Sequence, residues 1–125
     1  MQIFGNDYPT RDGSCIRDYI HVSDIAHAHT QALQYLMNEK NKSNCEIFNL
    51  GSGNGYSVFE VINCFEKISG QKLNYVIAPR RQGDVIAIFA NNEKAKNILG
   101  WTPKFNLEDM MQTAWNWELK LENKN

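Results

Sequence analysis

The sequence predicts a mixed α/β chain of short strands and four helices. Apolar residues recur at helical spacing in four separate segments. Between them lie apolar stretches too short to be helices, bounded by Gly, Pro, Asn and Asp. The length of 125 residues and mass of 14.4 kDa suit one domain over 1–125. A chain of this mass folds to a surface of roughly 6,800 Å² from roughly 21,000 Å² unfolded, enough to bury a core without disulfides or metals.

The first 15 residues are rich in turn formers around a short Gln2-Ile3-Phe4 stretch, read as loop with a short strand. In Cys15–Val22, Ile16, Ile20 and Val22 share one parity and Arg17, Tyr19 and His21 the other, with Asp18 interrupting the apolar face. This predicts a short strand or extended segment. Ser23 or Asp24 caps the first helix, whose stripe is Ile25, Ala28, Ala32, Leu33 and Leu36. The polar run 38–44 ends it. Glu46–Leu50 reads as a strand entering the flexible loop Gly51-Ser52-Gly53-Asn54-Gly55. Ser57 and Glu60 fit a capping box for a helix burying Val58, Val61, Ile62, Phe65 and Ile68 and stopping at Gly70. Leu73–Ala78 reads as a strand that Pro79 ends. Asn91 caps a short helix with Ala95, Ile98 and Leu99 inward, stopping at Gly100. Asn106 caps the last helix, with Leu107, Met110, Ala114, Trp117 and Leu121 on its apolar side and a frayed tail over the last four residues.

Composition excludes several classes. Hydrophobic residues at 42% with a formal net charge of −1 exclude intrinsic disorder and a bulk basic field for nucleic acid or membrane. No apolar run approaches the ~20 residues of a membrane span, and the N-terminus lacks signal-peptide character. Cys15, Cys45 and Cys64 are odd in number without a CxxC, which favours reduced, cytoplasmic thiols.

Three segments could carry chemistry. The Gly51 loop, between strand and capped helix, could turn backbone amides toward an anion or be a tight turn; its GxGxG spacing is not the dinucleotide GxGxxG. Pro79-Arg80-Arg81-Gln82-Gly83-Asp84 could clamp phosphate and accept from hydroxyls, or be a solvated loop with a local ion pair. Arg17-Asp18-Tyr19-Ile20-His21 could hold a phosphate and a ring, or be a strand with a polar face. His27 and His29 point to different faces and cannot chelate one metal together. Trp101, Trp115 and Trp117 read as packing residues. No GxSxG, HExxH or Cys-His pairing marks a nucleophile.

Taken together, these segments resemble one family. Ile3–Thr10 (IFGNDYPT), Asp12-Gly13, and Arg17–Val22 (RDYIHV) with Asp24 look like the substrate-domain signature of the UDP-glucose 4-epimerases, which are extended short-chain dehydrogenase/reductases. Phe48–Gly53, Gly55–Val58, Pro79-Arg80-Arg81 with Gly83-Asp84, Leu99-Gly100-Trp101 and Trp115-Asn116-Trp117 continue it in order, over essentially the whole chain. The resemblance implies a two-domain enzyme interconverting UDP-glucose and UDP-galactose through a 4-keto intermediate, with NAD and a Tyr-x-x-x-Lys pair in an N-terminal Rossmann half. No Tyr here is followed four residues later by Lys; Tyr35 is followed by Glu39. The chain therefore resembles the C-terminal UDP-sugar-binding portion, with no catalytic residues and no cofactor site of its own, and is expected to be inactive alone.

By the same resemblance Gln2, Ile3 and Phe4 lie at the uracil, largely through backbone groups. Arg17 and Arg81 lie at the diphosphate with Tyr19 nearby, Val58 beside the nucleotide, and Asp84 at a ribose hydroxyl. The Gly51 loop becomes a sheet-to-helix turn near the nucleotide. Ile88, four residues after Asp84, stands where family members often carry Tyr, Cys or Ser, a position that goes with the range of sugars admitted. Two other readings are a free-standing nucleotide-sugar-binding module and a fragment of another nucleotide-sugar reductase.

Overall fold

The computed structural model describes residues 1–122. The predicted frayed tail falls outside the described residues except for Glu122, which ends the last helix. Strand β1 (Gln2–Phe4) pairs in parallel with β4 (Val76–Ala78), with Gln2 opposite Val76 and Phe4 opposite Ala78. Strand β2 (Ile16–Arg17) pairs antiparallel with β3 (Tyr56–Ser57). Residues 86–88 run along β2, with the Ile16 amide donating to the Ile86 carbonyl at 2.9 Å and the Ile88 amide to the Ile16 carbonyl at 3.1 Å. The helices are α1 (Val22–Met37), α2 (Val58–Ser69), a π-helical turn at Ala95–Leu99 and α3 (Leu107–Glu122). Helix α2 packs on α3, where the Phe65 and Trp115 rings meet edge to face at 5.7 Å. Helix α1 packs on the π-helical turn, around a core of Ala28, Ala95 and Trp101 with Ile20, Phe48, Leu50 and Leu99 against it.

Local signals formed as expected where the bonding is local. Ser57 Oγ accepts from the Glu60 amide at 3.1 Å while Glu60 Oε2 accepts from the Ser57 amide at 2.8 Å, and Gly70 closes α2 in the left-handed region. Asn106 and Asp109 cap α3 in the same reciprocal way. The π-helical turn stops at Gly100 as expected, but Asn91 is not its cap: Lys94 stands there without a side-chain cap bond, Asn91 accepts from the Glu93 amide just before it, and Ile98 is exposed.

Other expectations are corrected. The cap of α1 is His21, whose Nδ1 accepts from the Ser23 amide at 3.0 Å; its Nε2 faces Thr113 Oγ1 at 2.9 Å. Asp24 instead is buried, accepting from the Lys104 and Phe105 amides, while Trp101 Nε1 donates to its carbonyl. Paired strand is confined to Ile16–Arg17 within 15–22 and to Val76–Ala78 within 73–78. Glu46–Leu50 forms no strand among the described residues; Phe48 is held by the Tyr35 ring and the Lys94 ammonium instead. Leu33 and Leu36 of the α1 stripe are exposed, and Trp117 is 61% exposed, so periodicity marked faces that nothing covers here. The accessible surface is 8,626 Å², about 1,800 Å² above the expectation from mass.

Candidate functional site

Parallel pairing brings the C-terminal ends of β1 and β4 side by side, so the loops that follow leave from one edge. Ile3 is buried and anchors β1, while its neighbours Gln2 and Phe4 point outward by strand alternation. With β4 on one side, β1 has no strand on its other side among the described residues, which leaves an edge of backbone groups.

Next to Phe4, the last residue of β1, three charged residues converge. Arg81 Nη2 donates to Asp84 Oδ1 at 2.9 Å, and Arg17 Nη2 reaches the same oxygen at 3.3 Å. Arg17 Nη1 donates to the Ile16 and Val85 carbonyls at 2.8 and 2.9 Å, which fixes its fork. The Arg81 guanidinium stands 5.1 Å from the Phe4 ring centroid. The hydrogen bond from Arg81 holds the Asp84 carboxyl below its usual range, with Arg17 adding to the effect and burial opposing it; the same bond raises Arg81. Two guanidiniums share one carboxylate, so the cluster keeps a net charge of +1. Its most exposed member is Arg81, at 61%. Such a cluster suits a phosphate or diphosphate.

Arg17, Arg81, Asp84 and Phe4 are thus brought together. Val58 opens α2, its amide bonded to the Cys15 carbonyl at 3.1 Å. Ile88 is exposed in the segment along β2. Tyr19 lines an apolar groove of about 580 Å³ against α3, with Val22, Met110, Met111 and Trp117, and burial raises its hydroxyl pKa.

The Gly51 loop does not fit a dinucleotide phosphate. Asp18 accepts from the Ser52 amide at 3.0 Å, from Ser52 Oγ at 2.7 Å and from the Ala90 amide at 2.8 Å. A carboxylate therefore already occupies the place of an anion. A Cβ on Gly51 would meet that carboxylate and Ala90, which is why glycine stands there. The N-terminus of α2 is likewise satisfied by Ser57, by Ser14 and by the Cys15 carbonyl.

Three roles escaped the sequence reading. Asp18 is the hub joining β2 to the glycine loop and residue 90. Arg11 grips Glu60 through two nitrogens and donates to the Gly55 carbonyl at 2.8 Å. Arg80 turns away from the cluster to Asp7 and Tyr8. Only Asp18 left a trace in the pattern, as the charged residue on an otherwise apolar parity.

The family model for GDP-mannose 4,6 dehydratase matches residues 1–114. The UDP-glucose 4-epimerase of Bacillus subtilis is 47% identical over 118 residues, 94% of this chain and 34% of that protein. The bifunctional UDP-glucose 4-epimerase and UDP-xylose 4-epimerase 3 of Arabidopsis thaliana is 46% identical over 120 residues, 96% of this chain and 34% of its own length. The chain thus spans about a third of the length of the curated relatives it matches. Among solved structures, the UDP-glucose 4-epimerase of Stenotrophomonas maltophila, with bound NAD and formylated UDP-arabinopyranose, superposes with a TM-score of 0.93 at 42% identity. That match covers 100% of this chain and 36% of the other. The Bifidobacterium longum enzyme in complex with NAD+ and UDP gives 0.87 at 42% identity, covering 98% and 35%.

Proposed function

The chain belongs to the GDP-mannose 4,6 dehydratase family, among the extended short-chain dehydrogenase/reductases, and we propose that it is the UDP-sugar-binding portion of a UDP-glucose 4-epimerase. The observation that carries the reading is the convergence of Arg17 and Arg81 on Asp84 beside Phe4. The two arginines hold the diphosphate. The free edge of β1, at Gln2, Ile3 and Phe4, offers N–H and C=O groups to the uracil, whose edge carries both acceptors and a donor. Asp84, once the phosphates take up the guanidiniums, is available to a ribose hydroxyl. Val58 flanks the nucleotide, and Ile88 lines the sugar.

The NAD site and the catalytic residues belong to the rest of a longer protein. The occupied Gly51 loop supports this, as does an accessible surface about 1,800 Å² larger than a separate domain of this mass presents. The chain's own contribution to the reaction is anchorage. A firmly held UDP spends remote binding energy on positioning the reacting sugar while leaving the sugar itself free to turn. In solution the chain binds UDP and UDP-glucose with comparable affinity, because the nucleotide carries the contacts. Calorimetric titration of both ligands into the chain and into Arg81→Ala tests this. A charge-assisted phosphate contact is worth roughly ten- to a hundredfold in affinity, and Arg81→Ala loses that factor for both ligands. Equal affinities in the two proteins overturn the assignment.

A further inference from the structure

We propose that Arg80 is a positioning residue for Arg81, and that its bracket on Asp7 holds the phosphate-binding guanidinium in place; this rests on reading the cluster as a nucleotide diphosphate site. Arg80 Nε donates to Asp7 Oδ1 at 2.8 Å and Nη2 to the Asp7 carbonyl at 2.6 Å, while its guanidinium lies 4.3 Å from the Tyr8 ring centroid. Both hydrogen bonds end on one residue of the loop after β1. The bracket therefore ties that loop to the loop after β4, and the Gly5 amide, donating to the Ala78 carbonyl at 2.9 Å, closes the other side of the ring.

The enclosed space is filled. Gly5 sits at φ +79°, and a Cβ there would meet the Tyr8 ring at 2.5 Å and Arg80 Cγ at 2.9 Å. Ring, glycine and arginine stem are packed against one another. From the same backbone stretch Arg81 reaches different partners, Phe4 and Asp84. A long, largely exposed side chain loses rotamer freedom on binding a ligand, so what orients its backbone origin sets its usefulness. Arg80 fixes that origin, and Asp7 fixes Arg80. An exposed ion pair adds little to global stability, so the bracket's effect is read at the site.

The test compares Arg80→Met, which keeps the stem on Tyr8 and Gly5, with Arg80→Lys and with Arg80→Met in an Arg81→Ala background. UDP affinity, thermal stability and the ¹⁵N heteronuclear NOE of the Arg81 Nε–H are measured on each chain. Arg80→Met is expected to weaken UDP roughly three- to tenfold with little change in Tm, Arg80→Lys to recover part of that, and Arg80→Met to add less than twofold once Arg81 is gone. The Arg81 Nε–H NOE falls in Arg80→Met. An unchanged NOE overturns the proposal, as does an equal loss of affinity with and without Arg81, which would make Arg80 a contact in its own right. If Arg80→Met fails to fold, Asp7→Ala cuts the side-chain arm of the bracket from its exposed end and must give the same pattern. A chain that does not bind UDP but loses Arg81 order in Arg80→Met refutes the nucleotide reading and leaves the positioning role standing.

Discussion

Replacing Asp18 with Ala removes the carboxylate that joins β2 to the glycine loop and to residue 90. Three hydrogen bonds disappear, to the Ser52 amide, the Ser52 hydroxyl and the Ala90 amide, at 3.0, 2.7 and 2.8 Å. Two of the abandoned donors are backbone N–H groups in partly buried surroundings. The Ser52 hydroxyl keeps the Asn54 carbonyl as an acceptor, so the cost falls on the two backbone amides, and at roughly 1.5–2 kcal/mol for each bond to an ionised acceptor Asp18→Ala should cost about 3 to 4 kcal/mol. For a chain of this length that lowers Tm by roughly 11–15 °C. Asp18→Asn retains one acceptor oxygen for the Ser52 pair but turns an NH2 toward the Ala90 amide or the reverse, so it should fall between wild type and Ala. Urea denaturation followed by circular dichroism gives the difference directly. A cost below about 1 kcal/mol for Asp18→Ala, or an Asn variant as stable as wild type, would refute the hub.

Other outcomes follow from the same geometry. Asp12, Glu46, Glu60, Glu66 and Asp84 all titrate below their ordinary values of 3.8 for Asp and 4.5 for Glu, for Asp84, Glu60 and Glu66 chiefly through hydrogen bonds from Arg81, Arg11 and Lys72. Groups depressed by folding contribute stability that is present above their unfolded pKa and is lost as pH falls through the folded one. Tm should therefore hold from pH 7 to about 5 and decline below about 4; a fall that begins near pH 6 contradicts this. The purified chain should neither epimerise UDP-glucose nor retain NAD, which a coupled assay and the ultraviolet spectrum of the protein check; turnover above blank contradicts the placement of the catalytic groups elsewhere. In the complete protein, Ile88→Ser should raise kcat/KM for UDP-N-acetylglucosamine relative to UDP-glucose, because overpacking a sugar pocket costs ~1–3 kcal/mol, roughly 5- to 150-fold. An unchanged ratio removes Ile88 from the sugar pocket.

What the sequence made legible is what short-range chemistry decides. The Ser57–Glu60 box, the Asn106 cap and the stops at Gly70 and Gly100 each involve residues within a turn of each other, so the spacing alone determines the bonding, and the return bond from the Asn106 amide to Asp109 is of the same short range. Long-range partners were not legible. Asp18 finds donors 34 and 72 residues away, and nothing in its neighbours' identities says so. His21 displaced Ser23 and Asp24 as the cap of α1 because Asp24 is drawn to the amides of Lys104 and Phe105, about 80 residues on. Periodicity identifies which residues share a face of α1 and α3 but not whether anything covers it: Leu33 and Leu36 of the α1 stripe and Trp117 and Leu121 of the α3 apolar side are exposed. Glu46–Leu50 forms no strand for a related reason: a strand is made by its neighbour's hydrogen bonds, and none of the described residues pairs with it. At the site, the two arginines are legible from their motifs, and a local ion pair such as Arg81–Asp84 is one of the two readings of the 79–84 loop; that Arg17 joins Asp84 from β2 while Arg80 serves Asp7 required the fold.

The assignment of a UDP site is tested most directly by titrating UDP into the ¹⁵N-labelled chain and mapping which amide and arginine Nε–H signals move. The expected shifts fall on β1 around Phe4, on Arg17, and on the loop from Arg81 to Asp84, with Arg81→Ala moving their midpoint to roughly ten- to a hundredfold more UDP. Shifts confined to the groove between Tyr19 and α3, or the absence of any saturable shift at millimolar UDP, would contradict it.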